Sequence, residues 1–365
     1  MKFFDMYTSN TLAGSSAQNI FKSDGKTRIG RAFYKIFATG EYEYAFLFNN
    51  ILDSTYDDGS FGHVNLLCDE WLIERIRVAE CDTIDNNIDD DDFQTITFDG
   101  RIEKKVYPGE VFCSDAVRLN LTGGKFLCYE ITYHGEILPW HPEICVSAFT
   151  KKDDAWIRDW MLPVPSMIGC NRNVKKRIAY LGDSITQGCG TPHDAYSNWS
   201  AVLSEKLGKE YSYWNLGIGY ARGADAATDG VWLFKAKQND IVIVCFGVND
   251  ILHENLEIDV LKKNLNTIVN HLKEAGATVI VQTVPPFDFQ DDRKEKWFAI
   301  NEYIRTELVQ YVDMVFDNGS FLAECKEHPE RAKYGGHPNE EGCAVWAEEL
   351  YKALMGSTAY EHFKN

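Results

Sequence analysis

The sequence predicts two domains of different classes: an all-β sandwich, followed by an α/β domain built on a parallel sheet. Three observations support this prediction. A chain of 365 residues is long for a single hydrophobic core. Short runs of aromatic and β-branched residues dominate its first part, whereas apolar runs alternate with helical periods in its second part. We expect the β domain over residues 1–160, a linker over 161–173 and the α/β domain over 174–365.

The N-terminal part is expected to form antiparallel strands. Runs such as YAFLFNN, WLIERIRVAEC and KFLCYEITYHG are separated by turn clusters such as DNNIDDDD and LTGG. This spacing is typical of a sandwich or jelly roll. The acidic cluster at residues 89–92 lacks the glycine and the distal glutamate of an EF-hand loop, so we interpret it as a solvated turn.

The C-terminal part shows the pattern of an α/β domain. The segment MLPVPSMIGCNRN has two prolines and two asparagines around a glycine, which is typical of a linker. Beyond it we expect five strands, in the runs RIAYLG, YSYWNLG, DIVIVCFG, TVIVQTV and DMVFDN. Helical periods separate these runs, and a last helix is expected over about residues 340–355. Continuous apolar strands alternating with helices indicate a parallel sheet that is covered on both faces.

The charge of the chain limits its partners. A net charge of −18 leaves few cations to neutralise phosphates, which argues against nucleic acid, anionic membrane surfaces and polyanionic substrates. A neutral small molecule or oligosaccharide fits best, and the oligomeric state is left open.

Targeting and metal-binding signals are also missing from the sequence. The start, MKFFDMYTSNTLAG, has no basic segment followed by an apolar run, and no stretch is long and apolar enough for a membrane span. We therefore predict a cytoplasmic protein. The ten cysteines form no C-x-x-C pair, and the histidines show no ligand spacing, so we expect neither a metal nor a cofactor.

Three polar or glycine-rich positions follow predicted strands, and a fourth precedes the last helix. Ser184 directly follows the first strand of the α/β domain, Gly219 lies in the turn after the second, Asn249 follows the third, and His337 precedes the last helix. Because the carboxyl ends of parallel strands meet at one edge of the sheet, we expect these residues to converge there. The simpler alternatives are that Ser184 only caps a helix and that Asn249 only satisfies a turn.

This set of groups suits acyl transfer. A serine attacks the carbonyl carbon, and a histidine takes its proton and returns it to the leaving group. Two or three hydrogen-bond donors must meet the oxyanion. The backbone N–H groups of Ser184 and of the glycine turn, together with the Asn249 side chain, could supply them.

The motifs GDSIT, NLGIG, GVND and HPN resemble, in order and spacing, the four blocks of the SGNH or GDSL-type hydrolase superfamily. The resemblance covers about residues 175–355. It implies a flavodoxin-like parallel sheet, Ser184 as nucleophile, Asn249 as oxyanion donor and His337 as general base. The preceding β-rich half is similar to the sandwich that some bacterial members carry. The two-domain form resembles carbohydrate esterase family two, whose members remove acetyl groups from plant polysaccharides.

Two positions depart from the family pattern. The last block is usually D-x-x-H-P, but Tyr334 stands where the aspartate would orient the histidine. Family-two carbohydrate esterases are similar in using a serine–histidine pair, so we predict a Ser184–His337 dyad, without Asp183 as the acid. The glycine turn, usually N-x-x-x-x-G, ends in Tyr220. We nominate the backbone N–H of Gly219 for the oxyanion hole.

The predicted function is that of a serine esterase that hydrolyses short acyl esters through an acyl-enzyme. The O-acetyl groups of sugars or oligosaccharides are the leading substrates. One alternative is a lipolytic or thioester hydrolase that acts on longer acyl chains. The other is a carbohydrate-binding protein whose hydrolase domain has lost its activity.

Overall fold

The structure is a computed structural model that describes residues 2–14, 17–53, 65–123, 126–141, 145–253 and 256–364. The chain separates into two compact units, Met1–Asn173 and Val174–Asn365. Within the described ranges, no helix is both long enough and apolar enough to cross a membrane.

The N-terminal unit is built mainly from strands. In chain order they are β1 (Thr8–Ser9), β2 (Asn19–Lys22), β3 (Arg28–Lys35), β4 (Gly40–Asn49), β5 (Trp71–Cys81), β6 (Gln94–Ile96), β7 (Lys104–Val106), β8 (Val111–Cys113), β9 (Val117–Leu121), β10 (Phe126–Gly135), β11 (Ile137–Trp140), β12 (Ala148–Lys152), β13 (Ala155–Arg158) and β14 (Met167–Cys170). A short helix α1 (Phe3–Met6) precedes them, and a 3₁₀ turn, Asp90–Asp92, follows β5.

These strands form two larger sheets and one small one. The first sheet has the order β1-β14-β4-β8, with β9 also paired to β4, and the second has the order β13-β12-β3-β10-β5-β6, with β7 also paired to β5. Strands β11 and β2 form the small sheet. All of these pairings are antiparallel.

The core of this unit lies between its two larger sheets. The rings of Phe46 and Phe48 on β4 each lie 6.4 Å, centroid to centroid, from the ring of Tyr129 on β10. Large buried aromatic side chains of this kind supply much of the apolar area that stabilises a sandwich. The prediction of an all-β N-terminal domain is confirmed.

Part of the segment predicted to be a linker is a strand. Met167–Cys170 form β14 and pair antiparallel with residues 44–47 of β4. All four residues of β14 are buried. The prolines and asparagines of residues 161–173 suggested an open connection. The distant pairing partner, on a strand more than a hundred residues earlier, could not be recognised from local sequence.

The predicted acidic turn is anchored to the second sheet. Asp90 lies in the 3₁₀ turn with its side chain exposed, and its carboxylate is 2.8 Å from the Arg77 guanidinium on β5. Arg77 also forms an ion pair with Glu130, which is buried on β10. Glu130 forms a second ion pair with Arg31, in which the carboxylate oxygen and the guanidinium nitrogen are 2.8 Å apart. A buried carboxylate needs such partners because removing it from water is costly.

The C-terminal unit contains a five-stranded parallel sheet. Its strands are β15 (Arg177–Gly182), β16 (Ser212–Gly217), β17 (Ile241–Cys245), β18 (Thr278–Gln282) and β19 (Met314–Phe316). They lie side by side in the order β16-β15-β17-β18-β19, and every pairing is parallel. This is the flavodoxin-like order, in which the chain changes direction across the sheet between β15 and β17. The predicted fold of the C-terminal domain is confirmed.

Helices alternate with these strands. They are α2 (Ser184–Gln187), α3 (Trp199–Leu207), α4 (Gly223–Ala226), α5 (Val231–Ala236), α6 (Val248–Leu252), α7 (Ile258–Glu274), α8 (Asp291–Thr306), α9 (Gly319–Leu322), α10 (Glu340–Met355) and α11 (Glu361–Lys364). Every residue of β16 and β17 is buried. This burial on both faces of the sheet explains why the sequences of these strands are mainly apolar. Stacked rings of Trp199 and Trp346, 5.1 Å apart, pack α3 against α10.

Candidate active site

Ser184 lies at a tight turn between β15 and α2. Asp183 is the N-cap of this helix, and its carboxylate accepts a hydrogen bond of 3.0 Å from the N–H of Ile185. The turn requires glycine at position 182, because a Cβ atom there would lie 2.3 Å from the Thr186 hydroxyl oxygen and 2.6 Å from the Cys245 carbonyl oxygen. Since Asp183 caps the helix, the simpler reading of Ser184 as the cap is wrong.

The hydroxyl of Ser184 meets the imidazole of His337. The distance between Ser184 Oγ and His337 Nε2 is 2.8 Å. Ser184 itself is 9% exposed, whereas His337 is an exposed residue in the loop before α10. A hydroxyl that is hydrogen-bonded to a ring nitrogen can transfer its proton to that nitrogen as it attacks a carbonyl carbon.

The loop that carries His337 is held at its helical end. Asn339 caps α10 by accepting a hydrogen bond of 3.0 Å from the N–H of Gly342, and its own N–H donates to the Tyr334 carbonyl at 3.1 Å. The thiol of Cys343 lies 3.4 Å from the Pro338 carbonyl oxygen. These contacts fix the backbone on both sides of His337.

Two further residues, which sequence reasoning did not single out, contact His337. The ring of Phe287 packs edge-on against the imidazole, with centroids 5.3 Å apart. Gly190, in the loop after α2, has a φ of +96°, and a Cβ atom there would lie 2.8 Å from the His337 carbonyl oxygen and 2.9 Å from its Cβ. The glycine run GCG after the nucleophile block was a signal for such a close approach.

Tyr334 occupies the position that the family usually fills with aspartate. Its backbone carbonyl accepts from Asn339, and its ring lies 4.9 Å from the Lys333 ammonium. Gly342 makes room for it, because a Cβ atom on that glycine would lie 2.6 Å from the Tyr334 Cβ. The contacts of Tyr334 therefore support the histidine loop through packing and a backbone hydrogen bond.

The turn predicted to supply an oxyanion donor lies between β16 and α4. The N–H of Ala221 donates to the Ile218 carbonyl at 3.2 Å, which closes a β-turn over residues 218–221 that contains Gly219. Tyr220, the third residue of this turn, has a φ of +61°. Glycine usually occupies a turn position with a positive φ. A tyrosine at this position is therefore unusual.

Asn249 and Asp250, near the start of α6, hold this turn. The Asn249 Nδ2 donates to the Ala221 carbonyl at 2.9 Å, and the carboxylate of Asp250 accepts from the N–H of Gly223 at 3.1 Å. A side-chain amide has two N–H donors, so the bond to Ala221 leaves Asn249 a second donor. Asp250 thus supports the loop that follows the turn.

Two carboxyl groups are fully buried next to these residues. Burial raises the pKa of Asp183 to about 7, and the negative charge of Asp250 contributes in the same direction. Burial likewise raises the pKa of Asp250 to about 6. Hydrogen bonds from backbone N–H groups at Ile185 and Gly223 act against this increase.

No group of three or more His, Cys, Asp or Glu side chains is placed to hold a metal ion in the ranges that the structure describes.

A family comparison covers the same part of the chain. Residues 180–345 match the GDSL-like lipase/acylhydrolase family, and this range contains Ser184, Asn249 and His337. This match supports a carboxylic ester hydrolase. The matched residues, which lie in the C-terminal unit, form a GDSL-like lipase/acylhydrolase domain.

This chain is also similar, at low sequence identity, to several solved structures. A family two carbohydrate esterase from Clostridium thermocellum is 11% identical, with 97% of this chain and 99% of that chain covered and a TM-score of 0.41. A protein assigned to the lipolytic G-D-S-L family from Desulfitobacterium hafniense is 17% identical, with 49% of this chain and 99% of that chain covered and a TM-score of 0.41. Among curated proteins, none matches this sequence at a significant level.

Proposed function

We propose that this protein is a serine esterase that removes short acyl groups, acetyl foremost, from hydroxyl groups of sugars or oligosaccharides. The single observation that carries the proposal is the 2.8 Å contact between Ser184 Oγ and His337 Nε2. It joins a nucleophile on a strand-to-helix turn to a base that solvent and substrate can reach.

The reaction has two halves. In the first, Ser184 Oγ attacks the ester carbonyl carbon while its proton passes to His337 Nε2, and the tetrahedral intermediate collapses as His337 returns that proton to the leaving alcohol oxygen. In the second half, His337 takes a proton from a water molecule, whose oxygen attacks the acyl-enzyme. Collapse of this intermediate returns a proton to Ser184 and releases the carboxylic acid.

The negative charge on the carbonyl oxygen needs hydrogen-bond donors. The proposed donors are the backbone N–H groups of Ser184 and Gly219 and the second amide N–H of Asn249. The bond between Asn249 and the Ala221 carbonyl supports this assignment, because it ties the asparagine side chain to the turn that contains Gly219.

We propose a dyad rather than a triad. Of the three members of a serine–histidine–acid unit, the acid is the least costly to lose. Its task is to hold the imidazole in one orientation, and other contacts can do so. The edge-on packing of Phe287 and the close approach of Gly190 support such an orientation of His337.

The proposed substrates are neutral at the reacting end. The net charge of −18 repels polyanions, and the order of a β domain before the hydrolase domain resembles that of carbohydrate esterase family two. Acetylated sugars satisfy both conditions.

The test is ester hydrolysis by the full chain. The release of 4-nitrophenol from its acetate, butyrate, octanoate and palmitate esters is measured for wild type and for the Ser184→Ala, His337→Ala and Tyr334→Phe variants. We expect turnover to be highest on acetate, to vanish in the first two variants and to survive largely in the third, because phenylalanine keeps the ring packing and the backbone hydrogen bond of Tyr334. Ser320→Ala and His362→Ala, at exposed residues, are the matched controls.

Three outcomes would contradict the proposal. Turnover that is highest on palmitate would indicate a lipolytic enzyme. Turnover that is indifferent to Ser184 would remove the dyad. No turnover on any chain length, with acetylated oligosaccharide still bound in calorimetry, would indicate a carbohydrate-binding protein that has lost its hydrolase activity.

A further inference from the structure

Tyr220 has an unusual backbone conformation at the candidate oxyanion turn. Ten non-glycine residues have a positive φ in the described part of the chain, and seven of them are Asn or Asp, the residue types that tolerate it best. Tyr220, with a φ of +61°, carries a large ring in this disfavoured region. Strained backbone of this kind is concentrated at functional sites.

The backbone of Tyr220 is tied to the reacting centre on both sides. The N–H of Ile218 donates to the Gly182 carbonyl at 3.1 Å, two residues before Ser184. On the other side, Asn249 Nδ2 donates to the Ala221 carbonyl at 2.9 Å. These two hydrogen bonds therefore hold the backbone of the turn, with Tyr220 in it, against the end of β15 and against Asn249.

The ring of Tyr220 lies at the surface beside a second ring. It is 40% exposed, and its centroid is 5.7 Å from the imidazole of His253, at an interplanar angle of 49°. His253 is one helical turn beyond Asn249, and its N–H donates to the Asn249 carbonyl at 3.0 Å. Asn249 thus has an aromatic pair beside it that is accessible to a ligand.

The pair is suited to a neutral ring-shaped group. Burial lowers the pKa of His253, and the nearby charge of Arg293 acts in the same direction, so both favour the neutral form of the imidazole. An aromatic face binds apolar C–H surface, and a tyrosine also offers a hydroxyl for hydrogen bonds. A pyranose has C–H groups on its faces and hydroxyls at its edge.

We propose that Tyr220 is a specificity-determining residue whose ring, backed by His253, receives the pyranose ring of the alcohol part of the ester. The inference rests on the proposed esterase function and deepens it. An acetyl group carries only a methyl group, which is too small to cover an exposed tyrosine ring. The alcohol part is therefore the group that this surface fits.

The variant Tyr220→Gly provides the test. Glycine adopts a φ of +61° without strain, so the variant removes the ring and is expected to keep the wild-type Tm. Acetate release is measured from 6-O-acetylglucose and from 2-methoxyethyl acetate, which has the same acyl group and no ring. We expect the ratio of the two kcat/KM values to fall about 5–10-fold, mainly through KM, as for the loss of one aromatic contact. Tyr220→Phe keeps the ring and is expected to keep most of the ratio.

Tyr311→Ala is the matched control. Tyr311 is 61% exposed, and it lies just before β19, at the amino ends of the strands and therefore at the opposite edge of the sheet. Its loss should leave the ratio unchanged. A ratio that stays at the wild-type value in Tyr220→Gly would overturn the inference. So would a change that follows acyl chain length instead of the alcohol, because Tyr220 would then form a wall of the acyl pocket.

A binding measurement separates this inference from the proposed reaction. Calorimetric titration of 6-O-acetylglucose into Ser184→Ala and into Ser184→Ala/Tyr220→Gly requires no turnover. We expect a 5–10-fold weaker Kd in the double variant, on the order of one aromatic contact. Equal Kd values would overturn the role of Tyr220, even if the wild type proves to be an active esterase. If the wild type shows no turnover but the Tyr220→Gly change still weakens the Kd, only the esterase reaction is contradicted.

Discussion

Ser184 and His337 are 153 positions apart in the chain, yet Ser184 Oγ and His337 Nε2 are 2.8 Å apart. Ser184 follows β15, the first strand of the parallel sheet in the chain, whereas His337 lies in the loop before α10, the last long helix. A single hydrogen bond thus joins the first and the last motif of the hydrolase domain. Residues that act through one shared proton behave as a unit, which can be tested directly.

The first prediction concerns this coupling. Ser184→Ala and His337→Ala are each expected to lower kcat by about 10⁶-fold, and the double variant by no more than either single one, because either change abolishes the same proton transfer. The measurement is a double-mutant cycle on 4-nitrophenyl acetate at saturating substrate. Losses that multiply would show that the two side chains act independently, which would contradict the dyad.

The second prediction concerns Asn249. Asn249→Ala removes the proposed oxyanion donor and the hydrogen bond to the Ala221 carbonyl. We expect kcat to fall about 10²–10³-fold with little change in KM, because the donor acts on charge that develops only in the transition state.

The matched control for Asn249 is Asn266→Ala. Asn266 lies on α7 and bonds to the Lys262 carbonyl and to the Tyr303 hydroxyl. Its loss should affect stability but leave kcat unchanged. A rise in KM with constant kcat in Asn249→Ala would instead assign the asparagine to ground-state binding.

The third prediction concerns the glycine beneath His337. Gly190 and Gly208 have the same φ of +96°, but a Cβ atom at Gly190 would meet the His337 backbone, whereas a Cβ atom at Gly208 meets nothing within 4 Å. Both alanine variants should lose about 1–3 kcal/mol of stability through backbone strain. Only Gly190→Ala should also lose activity, by about 10²-fold, because it displaces the base.

Kinetics and chemical denaturation of the two glycine variants give the comparison. If Gly208→Ala lowers kcat as much as Gly190→Ala does, the effect is a general consequence of strain. The proposed link between Gly190 and the position of His337 would then be wrong.

The fourth prediction is a dependence of stability on pH. Burial raises the pKa of Asp183 from its ordinary value of 3.8, which we take for the unfolded chain, to about 7 in the folded protein. Between these values the folded protein holds a proton that the unfolded chain has released, so the stability contributed by this group falls as pH rises through the window. Asp250, with a pKa raised to about 6, acts in the same direction. We expect Asp183→Asn, which keeps a capping side chain, to lose less stability than wild type across the window.

Urea unfolding at about pH 4.5, 6 and 8 measures this difference, which should reach roughly 2–4 kcal/mol at the highest pH. Asp259→Asn is the control, because the Asp259 side chain is 96% exposed at the start of α7. A wild-type stability that rises with pH relative to Asp183→Asn would show that the Asp183 carboxyl is ionised and stabilised in the folded protein.

Much of the fold could be predicted because its signals are local. Most of the buried parallel strands are apolar runs, and the longer helices α3, α7, α8 and α10 repeat apolar residues with the helical period. The residues after each strand could then be named from the sequence, since parallel strands place their carboxyl ends together. The same reasoning named Ser184, Gly219, Asn249 and His337 as candidates before any contact between them was known. Their catalytic roles stay predictions.

Contacts between distant segments were decided only by the tertiary structure. The pairing of β14 with β4 turned part of an expected linker into a strand, because the partner strand lies far away in the chain. The hydrogen bond between Ser184 and His337, the packing of Phe287 on the imidazole and the burial that raises the pKa of Asp183 have the same origin. The left-handed backbone of Tyr220 also depends on the hydrogen bonds that close its turn. By itself, the sequence determined which chemical groups this protein has and the order in which they follow the strands. The folded chain decided which of them touch, because distance and burial arise from packing between segments that local sequence does not encode.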